Sequence, residues 1–457
     1  MTGAKRIAVI LLCLGFSAFL NYALRRGPGN TIHTVDFAEI YYGDRCALQH
    51  QDPYDPATVL HQFLADGGKF PPDIPGKSLS DSRVAQIVLS NSVNLPTSFF
   101  LVLPLALLPW SVTSILWVWF SALLLALAAW LIWDLGAGRA PAIWACLAGF
   151  MLANCQQLLA TGNVAAVAVC LCVIATWCFL RQRFVWAGVV LLSLSLLLKP
   201  HDAGFVWLYF LLAGGTLRKR AWQTLAITAV LGLCTAFWIS RISPHWAAEL
   251  HRNISFEVAR GGIDDPGPTG AHQNTPAPVI DLQAAISIFK DVPGFYNLTS
   301  YAIVGVLVLL WIVTVLRKRR SPHDALFALA PIAALTMLPV YHRPYDAKLL
   351  LLTLPACALL WAAKAPKRWL AVVLTTAAVI ITSDIPLAID VAIGQSLSPS
   401  ASTLGGKIAT MVLLRPAPLI LLALGCFYLW MYMRYEPPAD TPPLENTANT
   451  PAASAAT

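Results

Sequence analysis

Long apolar runs recur along nearly the whole chain, and short clusters of charged and polar residues separate them. A helix needs about 20 apolar residues to cross the hydrocarbon core of a bilayer, and most of these runs approach or exceed that length. The pattern therefore predicts an all-α polytopic membrane protein. We expect about twelve transmembrane helices, at residues 7–24, 111–133, 141–160, 163–180, 185–198, 202–217, 221–240, 300–316, 323–341, 346–363, 368–389 and 408–433.

Basic residues indicate which helix ends face the cytoplasm, because Lys and Arg are enriched in the cytoplasmic loops of membrane proteins. Between the apolar runs, basic residues lie at 181–183, 218–220, 317–320, 364–368 and 434. All of them fall on one side only if the run 95–108, which Pro104 and Pro109 interrupt, does not cross the bilayer. We interpret that run as a re-entrant or interfacial segment, which leaves both chain termini in the cytoplasm.

Two long segments lie outside the membrane in this topology, at about 25–95 and 241–299. Loops of this length in compact proteins are usually functional or disordered, and both segments carry aromatic residues, which disordered segments tend to lack. We expect them to fold over the outer face, with juxtamembrane helices in the first. The chain then forms a single integral membrane domain, 1–433, followed by a disordered cytoplasmic tail, 434–457.

The composition supports the membrane assignment. Hydrophobic residues make up 57% of the 457 residues and charged residues only 12%, about half of the ~25% that is usual in soluble domains. The net charge of +8 does not indicate nucleic-acid binding, because the basic residues lie in short clusters between apolar runs. The ten cysteines lie mostly inside apolar runs and show neither zinc-ligand spacing nor a disulfide framework.

The few remaining charges avoid the middle of the bilayer. An ion-coupled transporter is expected to carry charged groups near the midplane, yet the runs 112–133, 141–180 and 221–240 contain no Asp, Glu, Lys or Arg. Polar residues collect instead at the predicted outer helix ends, in the segments 36–44, 154–163, 199–202 and 341–348. This distribution favours a reaction at the outer bilayer surface on a lipid-borne substrate.

Asp36 follows the first predicted helix, in a segment that also contains Glu39, Tyr41 and Tyr42. A carboxylate just above the lipid boundary is suited to act as a general base towards an acceptor hydroxyl, and the other three residues are candidate substrate contacts. The alternative is structural. Asp36 then caps a juxtamembrane helix, with Glu39 three residues further along as in a capping box.

Cationic side chains at the other outer helix ends are candidates for binding a phosphate group. These are Lys199, His342, Arg343 and Lys348. A lysine at a helix end can instead snorkel to the interface, whereas Arg and Lys in a short outer loop run against the positive-inside rule and call for another explanation. Further candidate substrate contacts in the same segments are Gln157, Asn163, His201 and Tyr345, although amides are also common in helix caps.

Several short motifs, taken in chain order, resemble family 87 of the C superfamily of membrane glycosyltransferases, the polyprenol-phosphate-mannose-dependent mannosyltransferases. The motifs are Asp36-Phe37, Asp52-Pro53-Tyr54-Asp55-Pro56, the segment 105–109, Thr161-Gly162-Asn163, Lys199-Pro200 and the segment 341–345. The chain departs from the family pattern at Thr161-Gly162-Asn163, where the resemblance leads us to expect Gly-Gln-Asn, and by an insertion-like stretch at 62–94.

The resemblance implies a glycosyltransferase C-type fold and an inverting transfer of a hexose at the outer face of the inner membrane. Mannose is the first candidate for that hexose. The donor is a polyprenyl-phosphate sugar and the acceptor a lipid-linked or other glycan, with Asp36 as the base and His342 as a donor-phosphate contact. We expect no metal or other cofactor, because protein cations can balance a monophosphate leaving group. The alternatives are a lipid or glycan transporter (flippase) and a structural partner in an envelope complex.

Overall fold

The computed structural model describes residues 3–24, 35–68, 89–136, 140–154, 158, 161–267, 279–318, 322–386 and 403–434. Gln157 and nearly all of the predicted tail lie outside these residues. The regular structure that they form is helical. The α-helices are α1 (Gly3–Leu24), α2 (Val35–Leu48), α3 (Pro56–Ala65), α4 (Pro96–Ala106), α5 (Trp110–Asp134), α6 (Pro141–Ala153), α7 (Ala165–Arg181), α8 (Val185–Leu198), α9 (Pro200–Ala213), α10 (Gly215–Ile242), α11 (Trp246–Glu257), α12 (Leu282–Ile286), α13 (Pro293–Arg317), α14 (Pro322–Leu335), α15 (Leu354–Ala362), α16 (Arg368–Ile381), α17 (Leu404–Leu413) and α18 (Ala417–Arg434).

Among the described residues, five helices are long and apolar enough to cross a membrane: α1, α5, α10, α13 and α18. Their outward faces carry large apolar side chains. On α10, for example, Leu233 and Phe237 are about two thirds or more exposed. An apolar surface of this extent is unfavourable in water but suits contact with lipid, which agrees with a membrane protein.

Helix α7 forms the centre of the structure. All of its residues from Ala165 to Phe179 are buried, as is expected for a helix that is apolar on every side. It packs against α5, α8 and a 3-10 helix at Asp346–Thr353. The N-terminal end of α7 therefore lies beside the segments that connect α8 to α9 and α14 to the 3-10 helix, which contain most of the predicted site residues.

Several predicted helices have different bounds in the structure: 323–341 ends at Leu335, 346–363 begins with the 3-10 helix Asp346–Thr353, and 368–389 ends at Ile381. The predicted helix 408–433 is interrupted, because α17 ends at Leu413 and α18 begins at Ala417. Pro416 lies in the break, and proline supplies no amide hydrogen to continue a helix. The run 95–108 contains the 11-residue helix α4, which at 1.5 Å per residue is about 16 Å long, roughly half the thickness of the hydrocarbon core.

Between α1 and α4 the described part of the chain forms two further helices, α2 and α3. Helix α2 is fixed against α5 through Phe37, whose ring stacks on Trp117 with 4.3 Å between the ring centroids. Asp55 is the N-cap of helix α3, and its carboxylate accepts a hydrogen bond from the Thr58 amide at 3.1 Å. The packing of α2 on α5 determines the position of Asp36, one residue before Phe37.

Candidate active site

The N-terminal end of α2 and the turn before α7 meet at Asp36 and Asn163. The Asn163 Nδ2 atom donates hydrogen bonds to Asp36 Oδ2 at 2.7 Å and to the Tyr345 hydroxyl oxygen at 3.1 Å. The Asn163 Oδ1 atom accepts from the Ala165 amide at 2.9 Å, an Asx turn that fixes the side chain. One amide group therefore orients both the candidate base and a tyrosine from a distant segment.

The turn that carries Asn163 depends on Gly162. Gly162 has a φ of +65°, a left-handed conformation that costs glycine little. Its carbonyl oxygen accepts a hydrogen bond from Trp117 Nε1 at 2.7 Å. Since the same tryptophan stacks on Phe37, Trp117 links the turn before α7 to the beginning of α2.

The surroundings of Asp36 affect its protonation. Burial raises the pKa of Asp36 above its ordinary value, while the hydrogen bond from Asn163 and the positive charges of Arg343 and Lys199 oppose the rise. The side chain remains partly exposed. A partly exposed carboxylate with a raised pKa is a stronger base than an ordinary surface aspartate, which suits a group that must accept a proton from a hydroxyl.

Lys199 lies at the break between α8 and α9. Pro200 follows it and disfavours a helical backbone at the preceding residue, and Lys199 accordingly has a φ of −151° and a ψ of 83°. Its ammonium group forms an ion pair with Asp346 and lies 5.1 Å from the centroid of the Tyr345 ring. Burial lowers the pKa of Lys199, but the carboxylates of Asp346 and Asp202 outweigh this effect and leave the pKa raised, so the amine stays protonated.

Arg343 connects the site to the loop that follows α11. Its Nη2 atom donates to Asp264 Oδ1 at 2.7 Å and to the Ile263 carbonyl oxygen at 3.2 Å, and its Nε atom donates to the Tyr341 hydroxyl. The Arg343 backbone amide donates to Asp346 Oδ2 at 2.7 Å. The guanidinium is therefore held in place by the loop, close enough to Asp36 to influence its pKa.

His342 lies behind Lys199, away from solvent. Its side chain is 0% exposed, and its Nε2 atom lies 3.2 Å from Asp202 Oδ1, itself on a side chain that is 1% exposed. The Nδ1 atom lies 2.8 Å from the Val340 carbonyl oxygen. The ring of His201 packs edge-on against it, 4.8 Å away between centroids. His342 and His201 are thus adjacent, and because His342 is fully buried, its role as a donor-phosphate contact remains a prediction.

Two of the predicted contacts have partners elsewhere in the protein. Glu39 is buried, and its Oε1 atom accepts hydrogen bonds from the Val93 amide at 3.2 Å and from Asn94 Nδ2 at 3.0 Å. Lys348 is also buried, and its Nζ atom donates to the Asn154 carbonyl oxygen at 3.3 Å. These contacts give Glu39 and Lys348 a structural role, and their roles as substrate and phosphate ligands remain predictions.

The two tyrosines predicted to contact substrate belong to an aromatic cluster around Trp110. Tyr41 and Tyr42 are both buried, and the Tyr41 hydroxyl donates to the Leu108 carbonyl oxygen at 2.7 Å. The Tyr42 ring packs edge-on against Phe63. Their contacts bind α2 to α3 and to the beginning of α5, so their role in substrate binding also remains a prediction.

The structure adds four residues that the sequence analysis did not propose as site residues. Asp202 and Asp346 surround the ammonium group of Lys199, while Tyr341 and Asp264 hold the guanidinium of Arg343. Three of them lie within three residues of a candidate cation in the sequence, and this proximity could have identified them as site residues. Asp264 lies in a distant loop, and no local pattern links it to Arg343.

The comparison with protein families gives one result. The model of glycosyltransferase family 87 matches residues 94–339, which is more than half of the chain. The match includes Asn163, Lys199 and Asp202 but ends before Tyr345 and begins after Asp36. No curated protein matches the chain.

Proposed function

This chain belongs to glycosyltransferase family 87 and is a membrane glycosyltransferase, and we propose that it transfers a hexose from a polyprenyl-phosphate donor. Mannose is the first candidate for the sugar, and a lipid-linked or other glycan is the acceptor. We further propose a glycosyltransferase C-type fold with about twelve membrane spans. The site then faces the extracytoplasmic side of the inner membrane, where the donor's polyprenyl tail is held by the bilayer.

One observation carries the mechanistic part of this proposal, the contact between Asp36 and Asn163 beside the ion pair of Lys199 with Asp346. The hydrogen bond from Asn163 involves Asp36 Oδ2, and the partly exposed carboxylate retains capacity to accept a proton. Tyr345 joins the two halves of the site, because it contacts both Asn163 and Lys199. A candidate base and a partly buried cation are therefore linked through two side chains.

In the proposed reaction Asp36 accepts the proton of the acceptor hydroxyl. The acceptor oxygen forms a bond to the anomeric carbon on the face opposite the phosphate, and the bond from that carbon to the phosphate oxygen breaks. The electron pair of the broken bond leaves with polyprenyl phosphate, and the configuration at the anomeric carbon is inverted. Lys199 and Arg343 stabilise the charge that develops on the phosphate, an effect for which a single lost donor typically costs about 3–4 kcal/mol.

Cleavage of the donor tests the proposal. The purified protein is reconstituted in liposomes with polyprenyl-phosphate mannose labelled in the sugar and with a membrane lipid extract as the source of acceptor. We expect release of polyprenyl phosphate together with transfer of label to an acceptor. Movement of labelled donor across the bilayer without cleavage would indicate a transporter, and the absence of both would indicate a structural partner; either result would contradict the proposal.

A further inference from the structure

Three potential metal ligands meet where α9 begins beside the loop after α14. His201, Asp202 and His342 each offer one ligand atom, and these atoms all lie within 4.8 Å of one another. The Nε2 atom of His342 lies 3.2 Å and that of His201 3.9 Å from Asp202 Oδ1. In a tetrahedral zinc site, bonds of about 2.0–2.2 Å separate neighbouring ligand atoms by about 3.3–3.6 Å, so modest side-chain rotations give the required spacing.

The hydrogen bonds around His342 leave an acceptor directed at another acceptor. The Val340 carbonyl oxygen lies 2.8 Å from His342 Nδ1, and a carbonyl oxygen only accepts, so Nδ1 carries the proton. In the neutral ring Nε2 then has a lone pair directed at the carboxylate of Asp202. Among the described residues, Nε2 of His201 has no hydrogen-bond partner, and the Asp202 carboxylate has none besides the His342 ring. A buried arrangement of this kind needs either a second proton on the His342 ring or a metal cation between the acceptors.

The charge balance of the cluster also favours a bound cation. Asp202 and Asp346 are both buried, and Lys199 is the cation that contacts them. Its ammonium group lies 4.0 Å from Asp202 Oδ2, too far for a hydrogen bond, and its ion pair is with Asp346. With neutral imidazoles, the two carboxylates exceed the one ammonium group by one negative charge. A single proton on His342 balances the charge, but within the described part of the chain it leaves Nε2 of His201 without a hydrogen-bond partner.

We infer that His201, Asp202 and His342 bind one divalent transition-metal ion. Two imidazoles and one carboxylate with open positions are a ligand set for zinc and for related first-row ions, whereas magnesium and calcium prefer oxygen ligands. A bound ion would differ from the expectation, drawn from the sequence, that protein cations alone balance the monophosphate leaving group. The role of the ion, to place positive charge beside Lys199 and the donor phosphate, rests on the proposed function.

Cobalt binding tests the inference without any donor. The full chain, purified in detergent with an affinity tag free of histidine, is stripped with EDTA, dialysed and titrated with Co²⁺ while visible absorption is recorded. We expect one Co²⁺ per chain, displaced by Zn²⁺. His201→Gln, a change of a partly exposed residue, is expected to weaken binding at least about 10- to 100-fold. The exposed His251 provides the matched control, His251→Gln, with unchanged binding.

Two outcomes overturn the inference: no stoichiometric binding by the wild-type chain, or equal binding by the wild type and His201→Gln. His342→Gln is a second ligand variant, and size-exclusion profiles and melting curves establish which variants are folded. The result is independent of the proposed reaction. A chain that cleaves donor but binds no Co²⁺ contradicts only the metal site, and a chain that binds Co²⁺ but does not cleave donor contradicts only the proposed function.

Discussion

Asn163→Asp separates the two hydrogen-bonding functions of Asn163. The new carboxylate still accepts the hydrogen bond that the Ala165 amide donates to Asn163 Oδ1 at 2.9 Å. It removes the amide donor that lies 2.7 Å from Asp36 Oδ2 and 3.1 Å from the Tyr345 hydroxyl oxygen. Asn and Asp are comparable at helix N-termini, so we expect the turn before α7 to be retained.

The hydrogen bond from Asn163 to Asp36 gives the expected size of the change in the pKa of Asp36. A hydrogen bond to a charged group contributes about 1.5–3 kcal/mol, and one pKa unit corresponds to about 1.4 kcal/mol. Loss of the donor should therefore raise the pKa of Asp36 by about 1–2 units, and the like charge of the new carboxylate acts in the same direction. The base must be deprotonated to act. As the pH falls, the variant should therefore lose activity at a higher pH than the wild type does.

The assay is kcat/KM for sugar transfer measured between about pH 5 and 9. We expect the acidic limb of the Asn163→Asp profile to move upwards by about 1–2 pH units. Asn163→Ser is the control, because serine can also accept from the Ala165 amide but adds no charge, so its limb should move less. Coincident acidic limbs in folded wild-type and Asn163→Asp proteins would refute the role of Asn163 in setting the basicity of Asp36.

Three further substitutions test separate parts of the account. Lys199→Met should lower kcat/KM by about 10²–10³-fold, since it removes a cation from the phosphate side; near-normal kinetics would contradict this. Asp264→Ala should lower transfer severalfold, because Arg343 loses its partner at 2.7 Å, with Asp264→Glu restoring activity. Tyr41→Phe should lower the free energy of unfolding by about 1 kcal/mol in denaturation experiments and leave KM unchanged, whereas a raised KM would support the predicted substrate contact.

The sequence predicts helix bounds well where an apolar run is uninterrupted. Helix α8 coincides with the predicted 185–198, and α5 extends by one residue at each end beyond the predicted 111–133. The prediction fails at 408–433, where Arg415 lies in a break and donates to the carbonyl oxygens of Pro266 and Ala284, both at 2.8 Å. Pro416 follows the arginine in this break, and a hydropathy pattern contains no information on the distant carbonyl partners.

The candidate site could likewise be predicted only in part from the sequence. Charge distribution along the chain led to the prediction of Asp36 and Lys199 as site residues, because few other charges occur at the predicted outer helix ends. It could not show that Lys199 pairs with Asp346, since this depends on how the 3-10 helix packs against α7. Nor could it separate Tyr41, whose hydroxyl donates to the Leu108 carbonyl oxygen, from Tyr345, whose hydroxyl accepts from Asn163. Both tyrosines are buried, and their different partners come from distant segments.

The central claim is that Asp36 is the base of a sugar transfer, and Asp36→Asn tests it most directly. Asp44→Asn is the matched control: it lies on the same helix, and burial raises the pKa of Asp44 well above its usual range, so asparagine resembles its protonated form. Both variants are assayed for transfer from labelled polyprenyl-phosphate mannose. We expect Asp36→Asn to lower the rate by about 10²–10⁴-fold and Asp44→Asn to retain it. Transfer at the wild-type rate by folded Asp36→Asn protein would contradict the account.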